Sequence, residues 1–158
     1  MSYSFLKLIH LISVMLFLGN IITGLFWMYF ATRTKDVKLI NFVVRGIIKA
    51  DRIFTIPGVI IITLGGFAAA GIGRLPILGT GWILWSIIMF SISGLAFMFR
   101  VAPLQRRLYN LTLTSPDDSN EFDWGKFNKV YKEWDIWGLI ATLTPLAAIV
   151  MMVLKHPV

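Results

Sequence analysis

The stretch LIHLISVMLFLGNIITGLFWMYFAT, residues 8–32, contains no lysine, arginine, aspartate or glutamate. A helix needs about 20 predominantly apolar residues to cross the hydrocarbon core of a bilayer, and this stretch supplies them. Three more charge-free stretches follow, at residues 53–73, 75–99 and 136–154. None alternates polar and apolar residues with period two, which argues against the strands of a membrane β-barrel. The sequence predicts an all-α protein, an integral membrane four-helix bundle forming a single domain. The predicted spans cover about residues 8–31, 53–72, 80–100 and 136–154.

The composition of the whole chain agrees with a bilayer environment. The 158 residues are 57% hydrophobic and their mean hydropathy is +0.76. The chain has no cysteine, which excludes disulfides, thiolate metal sites and c-type haem attachment. The first apolar stretch is longer than the roughly 7–15 residues of a signal-peptide core and lacks a clean small-residue cleavage site, so we expect it to remain as a span.

The net charge of +7 is distributed unevenly along the chain. Outside the segments that join span 1 to span 2 and span 3 to span 4, the basic residues are Lys7, Arg74 and Lys155. Cytoplasmic loops are enriched in lysine and arginine, so both termini and the Arg74 loop are predicted to lie on the outer side. We therefore expect a multi-pass protein of the bacterial cytoplasmic (inner) membrane. Its expected partner is the lipid bilayer with its anionic cytoplasmic leaflet, and the basic residues do not indicate nucleic acid.

Residues 37–52 have the pattern of a basic amphipathic cytoplasmic helix. Apolar residues fill one face, and the opposite face carries Lys38, Asn41, Arg45, Lys49 and Arg52. Such a helix is suited to lying on the anionic leaflet or to extending span 2 inward. The sequence leaves both arrangements open.

Each span carries a stripe of small and polar residues at gaps of three and four. In span 1 the stripe is His10, Ser13, Phe17, Asn20, Gly24 and Trp27. The stripes of the other spans are Thr55, Gly58, Ile62, Gly65 or Gly66 and Ala69; Ser86, Phe90, Ser93 and Phe97, leading to Arg100; and Gly138, Ala141, Pro145, Ala148 and Met152. Lipid offers no hydrogen bonds, and small residues let helix backbones approach closely, so we expect these stripes to face neighbouring helices.

His10 is the main candidate functional residue. An ionisable side chain inside a span is by default a functional-site hypothesis, and a neutral imidazole ligates haem iron, copper or zinc. The alternative is a histidine that hydrogen-bonds a carbonyl of a neighbouring helix, and spacing alone does not choose between them. A second ligand is expected at similar depth near the end of span 4, where the candidates are Met152, Met151 and His156. A His/Met or His/His pair suits b-type haem, and Cu(I) is the rival ligand.

Charged residues cluster where the spans end on the cytoplasmic side. The favoured interpretation is a set of structural ion pairs that includes Asp51, Arg52 and Asp135. In the alternative, Arg100 and Arg106 bind an anion such as a haem propionate, a quinone head group or a lipid phosphate. The sequence contains no hydrolase triad, P-loop or zinc-protease helix, so it identifies no catalytic residue.

Four segments carry a family resemblance: LKLIHLISVMLFLGNIITGLFW, ADRIFTIPGVIIITLGG, GWILWSIIMFSISGL with PLQRR, and MMVLKHP. Together they resemble an uncharacterised family of bacterial predicted integral membrane proteins over nearly the whole chain. The opening Lys7-x-x-His10 and Gly19 are similar to the first span of HemJ-type protoporphyrinogen oxidases and of CopD-type membrane proteins. In the former group this histidine is linked to haem b, so the resemblance implies haem b as cofactor and His10 as its axial ligand. A second histidine typical of that span is missing here.

The leading functional hypothesis is a haem-b-associated membrane protein in redox or tetrapyrrole chemistry, acting with a redox partner. One alternative is a non-catalytic membrane scaffold or accessory subunit, assembled as a homo-oligomer through its glycine and alanine faces. Another is a component of copper or small-solute transport. The sequence does not decide whether the protein is an enzyme.

Overall fold

Each of the four charge-free stretches lies within one long helical rod of the computed structural model, which describes residues 3–113 and 122–156. The helices are α1 (Tyr3–Arg33), α2 (Val37–Ala50), α3 (Ile56–Ile72), α4 (Gly81–Ala96), α5 (Ala102–Leu113) and α6 (Trp124–Leu154). One π-helical turn, Asp51–Thr55, joins α2 to α3, and another, Phe97–Val101, joins α4 to α5. The prediction of an all-α membrane four-helix bundle is confirmed, and no strand occurs within the described ranges.

The chain therefore forms four rods: rod 1 (α1), rod 2 (α2 to α3), rod 3 (α4 to α5) and rod 4 (α6). We call the end that holds the start of rod 1 and the end of rod 4 the terminal end, and the opposite end the basic end. Rod 1 packs along rod 2 and rod 3 packs along rod 4 in the terminal half. In the basic-end half α2 also packs against α5.

The rods are longer than a membrane is thick. They contain 31 to 36 residues, which at 1.5 Å per residue corresponds to about 46–54 Å, against about 30 Å for the hydrocarbon core. In rods 2, 3 and 4 the charge-free residues lie toward the terminal end. The surplus length therefore extends beyond the spans at the basic end.

Helix α2 belongs to this surplus and packs against the protein. Ile40 and Val44 on its apolar face are buried in the larger hydrophobic cluster, whereas Arg45 and Lys49 are exposed. Of the two arrangements that the sequence left open, the structure has α2 as the inward extension of rod 2.

Two prolines account for the two π-turns. Pro57 and Pro103 each stand two residues after the end of a π-turn. Proline has no N–H group and its ring collides with the carbonyl four residues earlier, so an ordinary α-turn cannot close there. In both turns the next residue instead donates its N–H to the carbonyl five residues earlier. Both rods thereby continue through a proline.

The π-turn in rod 3 shifts the predicted stripe by one residue. Ser86 and Ser93 are buried as expected, but the stripe does not lead to Arg100. The wider turn places Val101 on the buried side and leaves Arg100 exposed. In rod 1 the stripe also ends early, because Trp27 is exposed.

Rod 4 contains Pro145 in its interior, and rod 3 compensates for the missing donor. In an α-helix the N–H of residue 145 would bond the carbonyl of Ala141, and proline lacks that N–H. The hydroxyl of Ser93 donates to this carbonyl oxygen at 2.6 Å. Nearer the terminal end, Ser86 Oγ lies 3.1 Å from the carbonyl oxygen of Ala148. The predicted stripes of rods 3 and 4 therefore do face each other.

Candidate functional site

His10 lies in the terminal half of rod 1 and contacts rod 2. Its Nδ1 atom is 3.0 Å from the carbonyl oxygen of Ile62. A carbonyl oxygen only accepts hydrogen bonds, so Nδ1 carries the proton and donates it to Ile62. In the neutral imidazole the lone pair is then on Nε2, the nitrogen that is available to a further ligand.

Two glycines of rod 2 make room for the imidazole. A Cβ atom built on Gly66 would lie 3.3 Å from His10 Cε1 and 3.5 Å from Nδ1. A Cβ atom on Gly65 would lie 3.6 Å from His10 Cβ, which is an ordinary contact. The ring therefore lies directly against Gly66, and any larger residue there would press on it.

The predicted partners of His10 lie in the same half of the bundle. Ile149 of rod 4 packs against the small cluster that contains Phe17. Met152 follows Ile149 by about one helical turn toward the terminal end, and His10 lies about two turns beyond Phe17 in that direction. Met151 and Met152 are half-buried, and His156 is exposed. Within residues 3–113 and 122–156, no three His, Cys, Asp or Glu side chains are grouped to hold a metal.

A second polar site lies where α2 passes into the first π-turn. Asp51 is only 6% exposed, and its carboxylate accepts hydrogen bonds from two other rods and from its own turn. Oδ1 accepts from Asn20 Nδ2 at 2.9 Å and from Thr55 Oγ1 at 2.8 Å. Oδ2 accepts from Gln105 Nε2 at 2.8 Å. Asn20 Nδ2 also donates to Thr55 Oγ1 at 2.9 Å. We call these four residues the Asp51 cluster.

The Asp51 cluster differs from the ion pairs that the sequence predicted. The three donors that contact the carboxylate are neutral, and the neighbouring Arg52 is exposed. Asp135 is half-buried elsewhere on rod 4. The Asp51 carboxylate is therefore held by amide and hydroxyl groups.

The two arginines proposed as anion ligands lie far along the bundle from His10. Arg106 follows Gln105 directly and is therefore near the level of Asp51. Asp51 and Ile62 are separated by about 16 Å along rod 2. The Arg100 guanidinium lies 5.2 Å from the centre of the Trp137 ring, a cation–π contact on the surface between rods 3 and 4. The structure does not bring these arginines together with His10.

Sequence reasoning missed Gln105 and Trp134. Gln105 is buried after the register shift at the second π-turn, and the only trace of that shift in the sequence is Pro103. Trp134 is 3% exposed, and its Nε1–H has no hydrogen-bond partner within the described part of the chain. Trp134 and Gln105 line one narrow crevice in the basic-end half.

One family model, described as "Predicted integral membrane protein (DUF2269)", matches residues 4–156. The match spans nearly the whole chain. Comparison with curated proteins and with solved structures found no match.

Proposed function

This chain belongs to the DUF2269 family of predicted integral membrane proteins, and we propose that it binds haem b with His10 as an axial ligand. The family description names no activity, so the proposal depends on the chain's own residues. The observation that carries it is the hydrogen bond from His10 Nδ1 to Ile62 O.

That hydrogen bond prepares the imidazole for a metal. Histidines that ligate metals commonly donate their other ring N–H to a backbone carbonyl or carboxylate, which fixes the tautomer and raises the basicity of the ligating nitrogen. In this chain the carbonyl of Ile62 accepts that hydrogen bond from His10, and the absence of a side chain at Gly66 lets the ring reach the carbonyl. Haem iron accepts an imidazole nitrogen as axial ligand.

Rod 4 supplies candidates for the second axial position. Met151 and Met152 stand in the same half of the bundle as His10, and His156 follows them. Methionine paired with histidine and histidine paired with histidine are both ligand sets for b-type haem. When bound, haem would supply one-electron redox chemistry, and His10 with a residue near the end of rod 4 would hold it in the terminal half of the bundle.

A reduced-minus-oxidised absorption spectrum tests the proposal. We expect Soret and α-bands from the full-length protein purified in detergent after haem-replete expression, and their loss in His10→Ala. Ser13→Ala is the matched control, because Ser13 lies one turn along the same stripe and its hydroxyl bonds its own helix at Ile9 O. Absence of bands in the wild type, or unchanged bands in His10→Ala, would contradict the proposal.

Variants of rod 4 identify the second ligand. We expect one of Met152→Leu, Met151→Leu and His156→Ala to change the position of the α-band while leaving some haem bound. Three unchanged spectra would remove the His/Met and His/His ligand pairs.

A second candidate function is a non-catalytic membrane scaffold or accessory subunit. The same hydrogen bond favours it, because a bond between His10 and Ile62 O also stabilises the packing of rod 1 against rod 2 without any metal. It predicts a colourless protein whose assembly is lost in Gly65→Leu. Stoichiometric copper in the metal analysis of that colourless protein would favour copper transport instead.

We also propose that the basic end lies in the cytoplasm of a bacterial cell, with both termini outside. The distribution of lysine and arginine supports this orientation. Because the chain has no cysteine, single cysteines at Gly79 and Lys35 report sidedness without background. We expect a membrane-impermeant maleimide to label Gly79→Cys in intact cells and Lys35→Cys only after lysis; the reverse result would invert the orientation.

A further inference from the structure

We propose that the Asp51 cluster is a binding site for a small monovalent cation of the sodium class. The cluster brings together side chains of α1, the first π-turn and α5. It is separate from the His10 site and does not depend on haem.

The charge at the cluster is not balanced by its partners. Asp51 is buried, and the groups that contact its carboxylate are two amides and a hydroxyl, none of which carries a charge. Burial of an ionised carboxylate without an opposite charge costs several kcal/mol even after relaxation. Hydrogen bonds offset part of that cost, but a cation at the site would offset more, since it supplies the missing positive charge.

The partners are also the residue types that ligate hard cations. Small hard cations take carboxylate, amide carbonyl and hydroxyl oxygens as ligands. The amides of Asn20 and Gln105 now present their nitrogens to Asp51. A half-turn of each amide about its terminal bond exchanges nitrogen for oxygen. Five oxygen atoms from Asp51, Asn20, Thr55 and Gln105 then face one another and can serve as ligands.

The backbone at the cluster has the geometry often found at functional sites. Asp51 begins the π-turn and Thr55 ends it. The wide turn therefore places the Thr55 hydroxyl where it can donate to Asp51 Oδ1. Single π-turns inside α-helices frequently mark such sites. The Gln105 side chain reaches Asp51 just after the second π-turn. The crossing of two widened rods therefore places the oxygen-bearing groups around one carboxylate.

Thermal unfolding in different salts tests the site. We expect sodium chloride to raise the Tm of the detergent-purified full chain relative to choline chloride at equal ionic strength. The rise should be on the order of 3 °C when sodium is about tenfold above its dissociation constant. Asp51→Asn should abolish the sodium-specific rise while keeping a neutral hydrogen-bonding side chain in place. Asp135→Asn is the matched control, because it removes another carboxylate from the basic-end half of the bundle and should leave the rise unchanged.

A direct measurement covers the case in which Asp51→Asn does not fold. Thr55→Val removes one proposed oxygen ligand, and we expect it to weaken binding of ²²Na⁺ by at least about tenfold in equilibrium dialysis. The proposal is overturned if the wild type binds no ²²Na⁺ or if Thr55→Val binds it equally well. It is also overturned if the Tm responds to pH alone, since Asp51 would then be a protonation site.

Discussion

In the terminal half of the bundle the rods meet through small residues and hydrogen bonds to carbonyls, whereas in the basic-end half, apart from the Asp51 cluster, they meet through large buried side chains. Examples from the terminal half are the hydrogen bonds from the His10 imidazole to the carbonyl oxygen of Ile62 and from the Ser86 hydroxyl to that of Ala148. Ile40, Leu108 and Phe127 represent the basic-end half, where they are among the most deeply buried side chains.

The difference follows from the solvent of each half. Lipid tails are as apolar as leucine, so helices within the hydrocarbon gain little from burying apolar side chains against each other and depend on close packing and hydrogen bonds. In rods 2, 3 and 4 the basic-end half extends beyond the predicted spans, where removal of apolar surface from water stabilises the fold by about 25 cal/mol per Å². One continuous bundle is therefore held together by two different forces.

The largest expected effect is in the core of the basic-end half. Phe127 is 0% exposed, and Phe127→Ala should lower the free energy of unfolding by about 3–5 kcal/mol, because it removes apolar burial and leaves a cavity. Phe42→Ala is the control, since Phe42 is 75% exposed and should change the free energy by less than about 0.5 kcal/mol. Denaturant unfolding in mixed micelles measures both. Equal effects would show that the basic-end half lies in lipid as well.

A smaller effect is expected where a hydrogen bond joins rods 3 and 4. Ser93→Ala leaves the Ala141 carbonyl without its donor, and the cost should be about 0.6 kcal/mol, the average for such bonds in membranes. In a Pro145→Ala background the helix regains its own N–H donor, so Ser93→Ala should cost less there. A double-mutant cycle measures this coupling. Additive effects would mean that Ser93 does not compensate for Pro145.

The smallest change in stability is expected for an alanine at Gly66, the glycine that lies against His10. Gly94 has no atom within 4 Å of a built Cβ, so Gly94→Ala should stabilise the protein by about 0.5–1 kcal/mol through helix propensity. Gly66→Ala should lack this gain, because its Cβ would press on the imidazole at 3.3 Å. The gain should return in a His10→Ala background. Thermal unfolding of the four variants tests this, and an equal gain at both glycines would place the ring elsewhere.

Several features of the candidate sites were predictable because they depend on local spacing. The stripes through Thr55, Gly58 and Ile62 and through Gly138, Ala141 and Pro145 do face neighbouring helices, since helical periodicity alone places such residues together. His10 was predicted either to bind a metal or to bond a carbonyl. The structure shows the carbonyl bond, and this bond is compatible with either function.

Other features depended on a change of periodicity. Extrapolation of the rod 3 stripe at ordinary helical spacing led to Arg100, but the π-turn before Pro103 places Val101 and then Gln105 inside. One partner of Asp51 followed from this shift, because the shifted register places Gln105 on the buried side, where it reaches the carboxylate. Pro57 and Pro103 were the available signal in the sequence, since each lies within a rod that the π-turn allows to continue.

The sequence by itself determined that the chain is a four-span helical membrane protein, because the length and hydropathy of each stretch depend only on consecutive residues. The tertiary structure alone decided that α2 packs on the bundle and that Asp51 is held by neutral groups, two of them from other rods. It also decided that the imidazole of His10 lies against Gly66. These outcomes depend on contacts between residues that are far apart in the chain. The free energy of such contacts depends on how the rods pack against one another, which local sequence does not specify.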